Sequence, residues 1–155
     1  MKKIFSLVLF VVLCFALVAC GNKYTQIGTS DLYFELPNGY EMIDDDFDDD
    51  QIAYYFKDEQ SIDFDIYQWD KEGQYTLEEE ANYFAAEYNS VAQAIKVNGI
   101  NGFKYESVES YDGETYTVVN YMFEDDKYIV EICFWTVDQA EKDFAQEIID
   151  TLKKD

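Results

Sequence analysis

The densest potential chemistry in this 155-residue chain is Asp44-Asp45-Asp46-Phe47-Asp48-Asp49-Asp50, six carboxylates in seven residues. Hard divalent cations such as Ca²⁺ take several oxygen ligands at flexible geometry, and such a loop supplies them. An EF-hand register fails, however. Counted from Asp44, the sixth position is Asp49 rather than Gly and the twelfth is Tyr55 rather than Glu. Counted from Asp48, Glu59 falls at the twelfth position, but Ile52 and Ala53 occupy the fifth and sixth. The run is therefore expected to be a solvated acidic loop. A weak Ca²⁺ site at Asp44, Asp46, Asp48 and Asp50 is the alternative, and no other cofactor is expected. A second candidate is the pair Asp63 and Asp65, which alternate along one strand face with Tyr67 and Trp69. Hydrolysis by paired carboxylates needs two acids across a cleft, one with a raised pKa. Alternating strand residues of this kind are expected to make an ordinary solvent face. Tyr67 and Trp69 are the expected binding face, because rings with polar tips suit interfaces and sugar platforms.

The residue inventory removes most enzymatic chemistry. The chain has no His, and its eleven basic residues are all Lys. It therefore lacks the usual neutral-pH proton carrier and the bidentate guanidinium clamp. Cys133 lies in the apolar run Tyr128 to Trp135, without a base or cation beside it in sequence to lower its pKa. It is expected to be a buried structural thiol. No Gly-rich phosphate loop occurs. A formal net charge of −22 leaves no basic surface for nucleic acid. The expectation is a non-enzymatic protein that binds no nucleic acid. A hydrophobic content of 48% with 18% aromatics argues for a folded chain despite the charge. The length suits one domain.

The first twenty residues read as an address. Met1-Lys2-Lys3 is a positive start, and an apolar run to Val18 follows, interrupted only by Ser6. The end of that run, Leu17-Val18-Ala19-Cys20-Gly21, resembles the lipobox of bacterial lipoproteins. The resemblance implies cleavage before Cys20 and a diacylglycerol thioether on its sulfur. The reading is then a signal peptide over 1–19, a lipidated Cys20 and tether over 20–30, and a domain over 31–155. The protein is expected on the extracytoplasmic face of the cell membrane, held there by the Cys20 lipid. Its partner would be an envelope protein, peptide or glycan. Cleavage removes Lys2 and Lys3 but no acid, leaving −24 on the mature chain. With Cys14 lost and Cys20 lipidated, Cys133 has no thiol with which to form an internal disulfide.

The elements that must position these residues follow from periodicity. Alternation and turn signals predict strands over 31–36, 40–43, 52–56, 61–69, 92–97, 103–111, 114–123 and 127–135. The 40–43 strand is expected to return after Pro37-Asn38-Gly39, and turns are expected near Asn98-Gly99, Asn101-Gly102 and Asp112-Gly113. Thr76 and Glu79 form a capping box for a helix striped by Leu77, Ala81, Phe84, Ala85 and Tyr88. Asp138 and Glu141 should open a second helix striped by Ala140, Phe144, Ala145, Ile148 and Leu152, ending at Lys153-Lys154. The strand holding Cys133 is apolar on both faces and should be central. Tyr105, Tyr111, Tyr116, Tyr121 and Tyr128 are expected mainly to fill the core and line sheet edges. The class is α+β: a single domain, mainly antiparallel sheet with two amphipathic helices packed on it.

This layout resembles the PsbP/Mog1-like group of small domains. The features that carry the resemblance are Leu36-Pro37-Asn38-Gly39-Tyr40 after an early strand, the mid-chain helix, and Gly99-Ile100-Asn101-Gly102 before a long hairpin. A closing helix after Thr136 completes it. Tyr40 stands where the group usually has Trp. The resemblance covers about residues 31 to 153, carries no catalytic residues, and implies a binding or assembly role.

Overall fold

The computed structural model describes residues 24–43, 50–57, 62–71, 73 and 75–155. The signal segment, Cys20, and Asp44, Asp46 and Asp48 of the acidic run lie outside the described residues. Asp50 is described, and is exposed.

Among the described residues, ten strands and two helices make one α+β domain. The strands are β1 (Tyr24–Gln26), β2 (Leu32–Glu35), β3 (Glu41–Ile43), β4 (Gln51–Phe56) and β5 (Asp63–Asp70), followed by β6 (Gln93–Val97), β7 (Ile100–Tyr111), β8 (Glu114–Glu124), β9 (Tyr128–Thr136) and β10 (Lys153–Lys154). Helix α1 (Leu77–Glu87) follows β5, and α2 (Gln139–Ile149) follows β9. A seven-stranded sheet runs in the order β3-β4-β5-β9-β8-β7-β6, and a three-stranded sheet in the order β1-β2-β10. All recorded pairings are antiparallel. The Cys133 strand, β9, lies at the centre of the large sheet, as its two apolar faces predict.

Local chemistry sets the connections. Asn98-Gly99 and Asp112-Gly113 both take left-handed conformations at each residue, the geometry of a tight hairpin turn. Thr76 Oγ1 accepts from Glu79 N while the Glu79 carboxylate accepts from Thr76 N, so the first capping box forms in full. The second does not. Asp138 caps α2, but the Glu141 carboxylate accepts from Val137 N instead of the cap residue's own N–H.

One face of the large sheet carries Phe64, Ile66, Val119, Ile132 and Phe134 into the main core. Ile27, Leu32 and Phe34 of the small sheet segment and Ala145, Ile148 and Ile149 of α2 cover it. On the opposite face, Leu77, Ala81 and Ala85 of α1 pack on Tyr105, Met122 and Ile129. The large sheet is thus the middle of three layers, a distribution of buried faces that an antiparallel sheet needs when both sides are apolar. Asp125 ties two of the layers together. Its carboxylate accepts from Lys127 N and Tyr128 N at 2.7 Å in the β8–β9 turn, and from Asp31 N at 2.8 Å beside β2. Those backbone donors hold its pKa below the usual carboxylate range, against the opposing effect of burial.

Several expectations are corrected. The segment 24–30 is not tether: it contains β1, and Ile27 is wholly buried. The strand β3 does not return on β2; it pairs with β4 at the edge of the other sheet. Asn101-Gly102 is no turn but the start of β7. Gly102 is there because a Cβ would lie 2.5 Å from the Phe123 ring and 2.6 Å from the Met122 carbonyl oxygen. Lys153 and Lys154 do not end α2. They form β10, which pairs with β2, and Lys153 Nζ sits 4.1 Å from the Tyr24 ring centroid. Ala140 is exposed, and Ile149 takes its place in the buried stripe. Among the described residues, no helix is long and apolar enough to cross a membrane.

Candidate functional site

The α1 face of the sheet is the functional candidate, because α1 has only eleven residues and a groove lies beside it. The register decides which side chains form the floor. On β9, Ile129, Glu131, Cys133 and Trp135 share this face by alternation. Pairing sets Asp65 and Asn120 on either side of Cys133, and Tyr67 and Met122 on either side of Glu131. On β7, Tyr105 is opposite Asn120 and Ser107 opposite Val118. Ile129 and Met122 go under α1. The rest opens into a groove of about 880 Å³, a volume in the range of small-ligand sites.

The floor of that groove is polar and buried. Glu131, Asn120 and Ser107 are each almost fully buried. The Tyr105 hydroxyl donates to Glu131 Oε1 at 2.5 Å, and Asn120 Nδ2 donates to Ser107 Oγ at 3.3 Å. Burial pushes the Glu131 carboxyl up to about 7, although the Tyr105 hydrogen bond pulls the other way. The phenol of Tyr105 is pushed far up by burial and by the Glu131 charge. Cys133 also lines the groove, and burial together with Glu131, Asp65 and Glu109 raises its thiol well above the ordinary value. A thiol in that field stays protonated, which is the opposite of what a nucleophile needs.

The walls are aromatic. Trp69, Trp135, Tyr67 and Tyr88 all line the groove, so both tryptophans of the chain are in it. Trp69 leans on Phe84 of α1 at 5.7 Å between ring centroids, and Tyr88 stacks on Tyr105 at 6.4 Å. Trp135 is fixed from below: its indole N–H donates to Asp65 Oδ2 at 2.6 Å. Gln51 Nε2 donates to Asp65 Oδ1 at 2.7 Å, so both carboxylate oxygens are engaged. Asp65 therefore positions an indole, with one donor on each carboxylate oxygen.

The expected residues are distributed unevenly. Tyr67 and Trp69 both line the groove, so the structure brings the expected pair together. Their face is not the ordinary solvent face expected of Asp63 and Asp65. Asp65 is buried, and Asp63 Oδ1 is buried with no hydrogen-bond partner among the described residues. Asp63 Oδ2 accepts from the Tyr54 hydroxyl at 2.7 Å. Burial raises both carboxyls above the usual range, opposed by the Tyr54 and Trp135 bonds. Asp50, the one residue of the acidic run among those described, lies on the groove lining. No cluster of three or more metal-ligating side chains exists among the described residues. Glu131, Asn120 and Ser107 escaped the sequence reading. The available signal was an acid at the middle of a strand already identified as covered on both faces.

Comparison with known proteins gives the fold its context. No family model matches the sequence, and no curated protein matches it. Among solved structures, the domain is similar to cyanobacterial PsbP (CyanoP) from Synechocystis, with a TM-score of 0.67 and 13% identity. That match covers 88% of this chain and 97% of the other. It is also similar to a protein from Bacteroides thetaiotaomicron, with a TM-score of 0.61 and 16% identity over 84% of this chain. The present chain spans about half of that protein's length, 47%. The fold is PsbP-like, and at these identities the likeness extends to the fold alone.

Proposed function

We propose that the chain is a membrane-anchored, extracytoplasmic lipoprotein whose groove makes it a non-catalytic binding or assembly module of the cell envelope. The observation that carries the binding part is the groove itself, a sheet face left open beside a short helix and walled by both tryptophans. A groove of this size with aromatic walls and a few polar groups on its floor is a place for a partner. The residue inventory supports a role without catalysis. The chain has no His, Asp65 is held by two donors, and the Cys133 thiol is pushed away from ionisation. The lipobox-like run ending at Cys20 supports the anchor, with Cys20 as the lipidated residue and the membrane as its first partner. Divalent-cation binding at Asp44, Asp46, Asp48 and Asp50 is carried no further, since nothing described at Asp50 favours it.

Two measurements test this reading. Labelled palmitate should enter the intact chain in a bacterial host, and Cys20→Ser should abolish both labelling and membrane sedimentation. Labelling of the Cys20→Ser variant would remove the anchor from the account. Envelope extracts passed over the immobilised protein should leave a bound component that Tyr67→Ala and Trp69→Phe each weaken by roughly tenfold. Undiminished retention by both variants would place the binding surface elsewhere.

A further inference from the structure

The groove's charge and an unengaged carboxylate oxygen on its floor indicate the chemistry of its occupant. Glu131 is only 7% exposed. Its Oε1 accepts from Tyr105, and no hydrogen bond engages Oε2 among the described residues. Unlike Asp63 Oδ1, this oxygen is not closed off from solvent, and Glu131 lines the groove. The lining also contains Asp50, Asp70, Glu80 and Glu109. The single cation among its described residues, Lys71, is already paired with Glu124 at 2.7 Å. With low-dielectric aromatic walls, such a lining focuses a negative potential into the groove.

We propose that the groove binds an organic ammonium group, with its charge on Glu131 and its apolar body against Trp69, which stands two residues along β5 from the Tyr67 that pairs with Glu131. This deepens the binding-module reading and rests on it. Glu131 supplies a charge-assisted hydrogen bond from a site with little water. The Trp69 indole adds cation–π attraction and apolar contact to the same ligand. A metal ion would leave the aromatic walls unused, and a neutral ligand would leave the carboxylates uncompensated. An alkylammonium uses both. Its source is either a free amine or a Lys side chain carried by a peptide, and the two present the same group to the groove.

Because both tryptophans of the chain line the site, intrinsic fluorescence of the intact protein reads occupancy directly. Cadaverine represents the free amine, N-acetyl-lysine methylamide the peptide source, and N-acetyl-norleucine methylamide the uncharged near-isostere. A neutral oligosaccharide, chitotriose, completes the set. At least one of the two amines should give a saturable change that the norleucine compound does not, and the tighter one identifies the source. Glu131→Gln should weaken that amine about tenfold or more. Asp70→Asn, at an exposed rim position, should weaken it by a smaller factor that vanishes at high salt. Equal binding of the norleucine compound, or an unchanged affinity in Glu131→Gln, would overturn the ammonium assignment. Chitotriose binding without amine binding would overturn it too, yet leave the binding-module reading standing. Silence from all four probes would also overturn it, and retention of an envelope component would then decide the binding reading separately.

Discussion

Glu131→Gln is expected to stabilise the protein by about 3 kcal/mol at pH 8 and to leave it unchanged at pH 4. The reason is the burial of an acid in the central strand. Its carboxyl titrates near 7 in the folded state, against 4.5 when unperturbed. An acid whose folded pKa is raised favours the native state fully below the unfolded value. That advantage is lost as pH rises from about 4.5 through about 7, because the unfolded chain then ionises more readily. At about 1.4 kcal/mol for each unit, the loss is complete by pH 8 and amounts to about 3 kcal/mol. Gln keeps an acceptor for the Tyr105 hydroxyl and stays neutral throughout. Titratable groups around Glu131 come from every packed element: Asp65 and Tyr67 on β5, Tyr105 and Glu109 on β7, Cys133 on β9, and Tyr88 beyond the end of α1. None of these is cationic, and the lysine on the groove lining, Lys71, is paired with Glu124. Urea denaturation of both proteins between pH 4 and pH 8 measures the effect. Parallel stability curves would show that Glu131 titrates normally. The cost at neutral pH is what a groove tuned for a charged ligand requires, since stability is sacrificed at binding sites more readily than in the core.

Phe64→Ala is expected to cost about 3 to 5 kcal/mol. Phe64 is fully buried on β5 and touches four aromatic neighbours. Its ring lies 4.8 Å from Tyr55, 5.0 Å from Phe134, 5.5 Å from Tyr40 and 6.0 Å from Phe34. Phe34 belongs to the small sheet, so the ring joins the two sheets as well as three strands of the large one. Removing it leaves a cavity among rings that cannot collapse inward, and each lost edge or stacked contact adds to the transfer cost. Chemical denaturation should show the full loss with an unchanged m-value. A cost under about 1 kcal/mol would mean that the two sheets are not joined through this ring.

Much of this architecture was legible because its signals are local. Strand alternation, the Asp112-Gly113 turn and the Thr76–Glu79 capping box all act within a few residues, and all appear where expected. The doubly apolar β9 could be placed at the centre of a sheet because burial on both faces admits no edge position. What failed was non-local. Whether the strand after Pro37 pairs with β2 or with β4 depends on partners far along the chain, and periodicity is blind to that choice. Gly102 looked like turn punctuation, although its cause is the Phe123 ring across the hairpin. Lys153-Lys154 looked like a helix end, yet the edge of β2 captured it as a strand. The site divided in the same way. Tyr67 and Trp69 could be picked out by residue type, whereas the depth of the face around them depended on how far α1 reaches. Glu131 was visible only as an anomaly, an acid in a strand expected to be buried.

The central claim is that both tryptophans stand in an open, negatively charged groove. Collisional quenching of intrinsic fluorescence by ions of opposite sign tests it most directly. Caesium should be drawn in by the carboxylates and iodide repelled. At low ionic strength, the account predicts efficient quenching by caesium, little by iodide, and convergence of the two as salt screens the groove. Iodide quenching as strong as caesium quenching at low salt would contradict it.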